Sequence, residues 1–209
     1  MEISSNSFAD GDPIPSVYAF AKPDPVARVT FCDNLNPHLS WSDVPEGTRS
    51  FVLICHDYDV PSQGDDVNQP DREVPADLPR VDFFHWVLVD IPPDLRVIEE
   101  GEFCAGVTAG GKPHQAGPKG TRQGLNDFTG WFAGDEHMGG NYFGYDGPAP
   151  PWNDSIIHHY EFTLYALDVD QLDVEGEFTG QEVRDAMKGH VLAKASLTGT
   201  YTQNLRLVT

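Results

Sequence analysis

The stretch Gly147–Leu164, GPAPPWNDSIIHHYEFTL, is the most informative part of this chain. A proline-rich turn leads into a strand that opens with two histidines and a tyrosine. Because side chains alternate in direction along a strand, every second residue shares a face. One face carries His158, Tyr160, Phe162 and Leu164. An imidazole and a phenol therefore meet an apolar row beneath a stiff proline loop, which predicts a pocket for a small anionic or polar ligand.

Other strand-like runs, separated by turn residues, predict a mainly β fold with an antiparallel sheet. Ser50–Asp57 (SFVLICHD) and Val81–Ile91 (VDFFHWVLVDI) are almost continuously apolar, which is the pattern of strands buried on both faces. His158–Val169 is a third run of this kind. Val26–Cys32 and Ala195–Tyr201 alternate between apolar and polar residues, and the second of them is expected to close the sheet.

One helix is predicted near the C-terminus. Thr179 and Glu182 have the spacing of a capping box, and apolar residues recur at helical spacing from Val183 to Val191. The sequence shows no internal repeat and no linker, so we predict a single domain over residues 1–209. Two long irregular stretches, at about 62–80 and 102–145, are predicted as loop insertions. Loops of this length are usually functional or disordered, and the aromatic residues of the second favour a packed loop.

The charge of the chain excludes some classes of partner. Its net charge is −20, from 33 acidic and 13 basic residues. Nucleic-acid binding needs a basic surface, and anionic lipid surfaces also attract basic segments, so neither partner is expected. A strongly acidic surface is typical of a highly soluble protein, including one from a salt-rich cytoplasm.

The cysteines and the N-terminal sequence indicate a cytoplasmic protein. Cys32, Cys55 and Cys104 are odd in number and lack C-x-x-C spacing, which predicts reduced thiols. The first ten residues have neither a basic region nor an apolar run, so we expect no signal peptide. No stretch approaches the length of a membrane span, so we expect no membrane insertion.

Two apparent motifs do not predict a phosphate or metal site once the neighbouring residues are considered. Residues 106–112 (GVTAGGK) match a phosphate-binding P-loop, but Pro113 stands where Ser or Thr would bind Mg²⁺, and no strand and helix flank the loop. His158 and His159 are adjacent on a strand and point to opposite faces, so they cannot share a metal, and no zinc-like spacing is present. We therefore predict no metal and no cofactor. The G-x-S-x-G elbow of common serine hydrolases is also absent from the sequence.

Three predicted strands each carry a polar residue close to a strand end. Asp57 follows a buried run, and Asp59 and Pro61 come directly after it, so these carboxylates are either turn formers or pocket residues. His85 stands among apolar neighbours, where a histidine is more often a core residue that has found a hydrogen-bond partner. Together with His158, however, the three positions favour a common pocket.

Five short motifs occur in a fixed order along the chain: Asn36-Pro37-x-Leu39-x-Trp41, Asp57-x-Asp59-x-Pro61, His85-Trp86, Gly147-Pro148-x-Pro150-Pro151 and His158-x-Tyr160-x-Phe162. In this the chain resembles the phosphatidylethanolamine-binding protein family, specifically its bacterial and archaeal Raf-kinase-inhibitor-like branch. The resemblance extends from about Phe8 to Tyr201. It implies a central antiparallel β-sheet packed on a smaller second sheet, with a C-terminal helix.

The resemblance also implies a small pocket, at one end of the sheet, for phosphate-like or carboxylate anions. Carried over motif by motif, the ligand-binding positions are Asp57, Asp59, Pro61, His85, Ala149, Pro150, Pro151, His158 and Tyr160. Imidazoles and backbone N–H groups would donate to the anion, while Asp57 would hold a histidine in one tautomer. Tyr58 replaces a proline of the family, and Ala149 stands where the family usually has Cys or Gly, so the ligand identity is left open.

Three functions remain open. The leading one is a non-enzymatic protein that binds a small anion, such as a phosphorylated headgroup or a phosphorylated or carboxylate-bearing peptide group. The alternative, implied by the resemblance, is a regulatory inhibitor of a kinase or a peptidase. The least favoured is a weak phosphoester hydrolase with His85 or His158 as general acid–base, because the sequence shows no evident nucleophile or charge clamp. The sequence leaves the oligomeric state open, a homodimer included.

A pH dependence follows from the leading function. If His85 and His158 both face one anion, binding favours their protonated forms, because a nearby opposite charge stabilises imidazolium. Histidine titrates near pH 6.5 when unperturbed, so affinity should weaken between roughly pH 6 and 8. Sulfate is the cleaner probe, since phosphate itself gains charge over this range.

Overall fold

A five-stranded antiparallel sheet forms the centre of the computed structural model, which describes residues 1–208. From one edge of the sheet to the other, the strands are β10 (Val191–Tyr201), β9 (His158–Leu167), β5 (Ser50–Pro61), β6 (Arg80–Ile91) and β8 (Arg122–Gln123). The long strands β5, β6 and β9 lie side by side in the middle of this sheet. The predicted mainly β class with a central antiparallel sheet is confirmed.

Two smaller sheets and two short helices complete the fold. The three-stranded sheet contains β1 (Glu2–Ser4), β4 (Leu39–Ser42) and β7 (Val97–Ile98). The strands β2 (Ala21–Asp24) and β3 (Arg28–Phe31) form a separate hairpin. The helices are α1 (Phe128–Trp131) and α2 (Gly180–Ala186), with 3-10 turns at Ser16–Tyr18 and Pro118–Gly120.

The central sheet is buried on both faces. On one face, Leu53 and Trp86 pack in a core that includes Leu39 and Trp41 of the three-stranded sheet. On the other face, Ile54 and other aliphatic residues pack against the apolar side of α2. Two covered faces leave no position for alternating polar residues in β5 and β6, which explains why their sequences are almost continuously apolar.

The predicted helix is shorter than its apolar pattern. The capping box between Thr179 and Glu182 is present, but the helix ends at Ala186. Gly189 adopts a positive φ of 87°, a left-handed conformation that ends the helical region. Val191, predicted as part of the helical pattern, instead begins β10.

Strand bounds also differ from the expectation. The pattern of Val26–Cys32 predicts one strand, but positions 25–27 form the hairpin turn and only Arg28–Phe31 is extended. Strand β5 continues beyond Asp57 to Pro61, with a register irregularity between Asp57 and Val60. The irregular stretch 102–145 contains β8 and α1. Cys32, Cys55 and Cys104 are free, and the last two are buried.

Within residues 1–208 no helix has the length and apolar character needed to cross a membrane.

Candidate functional site

A cavity of about 370 Å³ lies at the end of the central sheet where β5 finishes and β6 and β9 begin. We call it the sheet-end cavity. Its polar lining comes from Asp57, Asn68, His85, Tyr160 and Gln203. The rest of its wall is apolar and includes six aromatic residues, Phe20, Phe31, Phe83, Phe128, Trp131 and Phe132. A few polar groups in a mainly apolar wall are typical of a small-ligand site.

Strand register brings the polar residues together. Asp57 lies opposite Phe83 on β6 and opposite Tyr160 on β9. His85 is two residues beyond Phe83, so both point to the same face of the sheet. Because β5 runs antiparallel to both neighbours, the end of one strand meets the starts of the other two, and their side chains converge on one cavity.

Asp57 forms the floor of the cavity and is almost fully buried, with 1% of its surface exposed. Its Oδ1 accepts a hydrogen bond of 2.8 Å from the backbone N–H of Asp59. Its Oδ2 accepts a hydrogen bond of 2.7 Å from Nδ1 of His158. Both carboxylate oxygens are therefore tied to the protein.

His158 lies between two carboxylates and is completely buried. Its second ring nitrogen, Nε2, donates to Oδ2 of Asp154 at 3.0 Å, and Asp154 in turn accepts from Arg80 at 2.6 and 3.1 Å. Burial by itself lowers the pKa of His158, but Asp57 and Asp154 together raise it to about 9. His158 is therefore an imidazolium at neutral pH and donates from both nitrogens.

The four buried groups form one charge-balanced network. The order of contact is Asp57, His158, Asp154 and Arg80. Burial raises the pKa of Asp154, but hydrogen bonds from His158 and Arg80 outweigh this and leave it lowered. Two carboxylates and two cations make the network neutral in total at pH 7, which is the condition for keeping such groups buried.

His85 has the opposite protonation. Its Nδ1 lies 2.7 Å from the backbone carbonyl oxygen of Asp146, so this nitrogen carries the proton and donates. Burial lowers the pKa of His85, and the nearby Asp57 only partly offsets this. The ring is neutral at pH 7, and within residues 1–208 its Nε2 makes no hydrogen bond.

A buried polar cluster surrounds Asp146, whose backbone carbonyl keeps the proton of His85 on Nδ1. The carboxylate of Asp146 accepts from Asn34 and Asn126, both at 2.8 Å, and pairs with Lys112 at 2.9 Å. Lys112 belongs to the glycine-rich loop 106–112, whose sequence resembles a P-loop. Its ammonium is occupied by Asp146 and the Tyr145 carbonyl. The lysine of the glycine-rich loop therefore anchors the loop to the buried Asp146.

Tyr160 carries an unpaired hydroxyl into the cavity. The residue is completely buried, and its Oη has no hydrogen-bond partner among residues 1–208. Burial, and then the neighbouring Asp57 carboxylate, raise the pKa of this phenol well above its usual value, so it stays protonated. The hydroxyl lies close to the Asp57 carboxylate but not in hydrogen-bond geometry with it, so it is free to donate to a ligand.

The proline loop supplies fewer donors than its length suggests. Ala149, Pro150 and Pro151 all line the cavity, but proline has no backbone N–H. The Ala149 amide is thus the single donor that these three residues offer, and no acceptor binds it within residues 1–208. This corrects the expectation that several backbone N–H groups of the loop would face the anion.

Seven of the nine predicted ligand-binding positions line the cavity: Asp57, Pro61, His85, Ala149, Pro150, Pro151 and Tyr160. The structure does not bring the other two there. His158 lies behind Asp57 and spends both nitrogens on carboxylates. Asp59 accepts from the backbone and ring of His159, at 2.9 and 2.8 Å.

Several residues of the site carry no recognisable motif in the sequence. Asp154 belongs only to a glycosylation-like triplet, and Arg80 and Asp146 stand outside every motif. The i, i+4 spacing of Asp154 and His158 is the one available signal, and it is weak for residues outside a helix. Both long loops contribute to the wall, the first through Gly64, Val67 and Asn68 and the second through Phe128, Trp131 and Phe132.

In the part of the chain that the structure describes, no group of three or more His, Cys, Asp or Glu side chains has an arrangement that could hold a metal ion.

Known proteins are similar to this chain in sequence along almost its whole length. Residues 4–202 match the family model described as phosphatidylethanolamine-binding protein. The chain is 33% identical to UPF0098 protein YbhB of Escherichia coli K12, over 97% of this chain and 100% of that protein. It is 34% identical to a UPF0098 protein of Methanothermobacter thermautotrophicus, over 96% of this chain and 98% of that one.

Two crystal structures are also similar to it in fold. Escherichia coli YbcL, described as a member of the mammalian PEBP family, aligns with a TM-score of 0.67 at 25% identity, covering 96% of this chain and 97% of YbcL. CT736 of Chlamydia trachomatis, described as a phosphatidylethanolamine-binding protein homologue, aligns with a TM-score of 0.64 at 28% identity, covering 97% of each chain.

Proposed function

This chain belongs to the phosphatidylethanolamine-binding protein family, and we propose that its sheet-end cavity binds a small ligand through a phosphate or carboxylate group. The observation that carries the proposal is the hydroxyl of Tyr160, which is buried and unpaired at the cavity. Leaving such a group unpaired costs about 1–3 kcal/mol. An oxyanion in the cavity accepts this hydroxyl, and the free Ala149 amide is a second donor to it.

The buried network makes an anion compatible with the Asp57 carboxylate. A lone carboxylate at the cavity floor would repel an anionic ligand. In this chain the imidazolium of His158 lies 2.7 Å behind Asp57 and balances its charge. Of the nine predicted positions, seven line the cavity and would face the ligand. His158 supports Asp57 from behind, and Asp59 is paired with His159.

The protonation of His85 favours phosphate over sulfate. With Nδ1–H directed to Asp146, Nε2 presents a lone pair. A phosphate that retains one proton donates to this lone pair and accepts from Tyr160 at the same time. Sulfate has no proton to donate near neutral pH, so it binds more tightly when His85 is protonated.

The aromatic wall indicates what is attached to the anionic group. Phe83 and Phe128 stand edge to face, with ring centroids 5.2 Å apart, and Phe128 stacks on Phe20 at 4.5 Å. These rings form an apolar wall beside the polar groups of the cavity. A phosphorylated headgroup joined to an apolar portion would fill both parts.

Calorimetric titration with inorganic phosphate and phosphoethanolamine tests the proposal. We expect Tyr160→Phe to weaken binding about tenfold, the value of one hydrogen bond to a charged acceptor, and His85→Ala to weaken it at least as much. His56→Ala is the matched control, because His56 is also a buried histidine of the central sheet but lies away from the cavity lining. Equal affinities in wild type, Tyr160→Phe and His85→Ala would refute the proposal.

We further propose that binding occurs without turnover. The cavity offers one carboxylate, one imidazole, one phenol and two amides, a set that accommodates an oxyanion but supplies no cationic clamp for a transferred phosphoryl group. Incubation with phosphoethanolamine should release no phosphate above the buffer background. Release that disappears in His85→Ala would instead establish a phosphoester hydrolase.

A further inference from the structure

A second cavity, of about 600 Å³, lies beside the sheet-end cavity. It is enclosed by the β2–β3 hairpin, the loop around Arg72, and the segment Gln203–Arg206. Three of the eight arginines of this acidic chain line it, namely Arg28, Arg72 and Arg206. We call it the arginine cavity.

Two of these arginines are already paired. Arg72 contacts Asp66 at 2.8 Å, and Arg206 contacts Glu73 at 3.3 Å. Both are surface pairs, with more than half of each arginine side chain exposed. Acidic residues Asp24, Asp71 and Glu73 also line the cavity, so its total charge does not by itself attract an anion.

Arg28 differs from the other two. Within residues 1–208 its side chain makes no ion pair and no hydrogen bond. Its guanidinium carbon lies 4.8 Å from the ring centroid of Trp152, a stacking distance that fixes the group while leaving its N–H edge free. Asp24, the nearest acidic residue of the hairpin, already accepts from the amides of Val26 and Ala27.

The backbone of Arg28 is also unusual. Its φ is +72°, in the left-handed region that arginine rarely adopts. Such a conformation costs about 1–3 kcal/mol and occurs preferentially in binding sites. This position closes the tight β2–β3 turn, where a glycine or asparagine would have less strain.

Gln203 supplies a second, independent observation. This side chain lines both cavities, is 4% exposed, and its Oε1 has no hydrogen-bond partner among residues 1–208. A buried carbonyl oxygen of this kind needs a donor. The arginine cavity therefore presents an anion-binding fork at Arg28 and an acceptor at Gln203.

We propose that the arginine cavity is a separate site for a small carboxylate that also carries a hydroxyl or N–H donor. The guanidinium fork of Arg28 holds a planar carboxylate in two parallel hydrogen bonds, a geometry that favours carboxylate over a point-like anion. The donor of the ligand reaches Oε1 of Gln203. Trp152 orients the guanidinium from the side of the proline loop.

Titration with L-malate, followed through the indole N–H signal of Trp152 by NMR, tests this site. Trp152→Phe identifies the signal among the four tryptophans. We expect malate to shift it in the wild type, and Arg28→Gln to weaken the binding at least about tenfold. Arg96→Gln is the matched control, because Arg96 also stacks on an aromatic ring, that of Phe51 at 5.7 Å, and lines neither cavity.

Further variants distinguish binding in the arginine cavity from binding in the sheet-end cavity. His85→Ala should leave the malate-induced shift of the Trp152 signal unchanged even though it weakens phosphate binding, so the two proposals can fail independently. Gln203→Met should remove the preference for malate over succinate, which lacks the hydroxyl. No shift of the Trp152 signal in the wild type, an equal shift in Arg28→Gln, or an equal Arg28-dependent shift with inorganic phosphate would overturn the proposal.

Discussion

At the residue scale, Asp154 links a histidine and an arginine that are both largely buried. In Asp154→Asn, the imidazolium of His158 would keep only the Asp57 carboxylate. The guanidinium of Arg80 would lose its carboxylate partner. Removing one member of a buried ionic network costs about 3–5 kcal/mol. We therefore expect the free energy of unfolding, measured in urea, to fall by about that amount.

The control for this substitution is Asp168→Asn. Asp168 also pairs with a histidine, His190, at 2.9 Å, but both side chains are almost half exposed. Exposed pairs contribute about 0–1 kcal/mol, so this variant should unfold almost like the wild type. Similar losses of unfolding free energy in Asp154→Asn and Asp168→Asn would show that burial does not determine how much the network stabilises the fold.

The structure also changes the expected pH dependence of anion binding. His158 already holds its proton, because its pKa is raised to about 9, whereas burial lowers the pKa of His85. Only His85 can therefore take up a proton when sulfate binds near neutral pH. The affinity for sulfate should still weaken as the pH rises. The change lies between the lowered pKa of His85 in the unliganded protein and its higher pKa with sulfate bound.

Sulfate titrations between roughly pH 5 and 8 measure this uptake. One protonation limits the slope of log affinity against pH to about −1. The slope should vanish in His85→Gln. A slope close to −2 would mean that His158 also titrates with the anion, as the sequence alone suggests.

At the scale of the element, helix α2 depends on a glycine at its first position. A Cβ on Gly180 would overlap the ring of Phe84, which is 7% exposed beneath the helix. Alanine normally favours a helix over glycine by about 1 kcal/mol, but in α2 the overlap must displace Phe84 or the helix. We expect Gly180→Ala to destabilise the fold by about 1–3 kcal/mol in a thermal or urea melt.

Helix α1 provides the matched comparison. Gly130 is also a helical glycine, but a Cβ there meets no atom within 4 Å. Gly130→Ala should therefore be neutral or stabilise by up to about 1 kcal/mol. Destabilisation of equal size in both variants would contradict the steric explanation for Gly180.

At the scale of the whole molecule, the net charge of −20 opposes the folded state through self-repulsion. Salt screens this repulsion, and the Debye length falls from about 30 to 8 Å between 0.01 and 0.15 M. The melting temperature should therefore rise over this range of sodium chloride. Chloride is preferred to sulfate or phosphate, because those anions are candidate ligands. A constant or falling melting temperature would show that the paired charges, not the excess carboxylates, dominate.

Residue patterns identified the four long strands of the central sheet, β5, β6, β9 and β10, but not the short β8, which lies in a predicted loop insertion. The family resemblance supplied seven of the residues that line the sheet-end cavity. Apolar periodicity is a local property, so Ser50–Asp57 and Val81–Ile91 could be recognised as buried strands before their partners were known. The ordered motifs were also sufficient for the family, because they span most of the chain. The predicted end of α2 was wrong, since the left-handed turn at Gly189 interrupts an apolar pattern that continues into β10.

The role of each site residue depends on contacts that form only in the tertiary structure. His158 and Tyr160 share a strand face, yet one is a buried imidazolium and the other faces the cavity, because Asp154 is held beside His158 by loop contacts with Arg80, 74 residues away. The tautomer of His85 depends on a carbonyl 61 residues away, and Arg28 meets Trp152 from a separate hairpin. Such contacts depend on where long loops return to the sheet, and no local pattern of residues encodes that return.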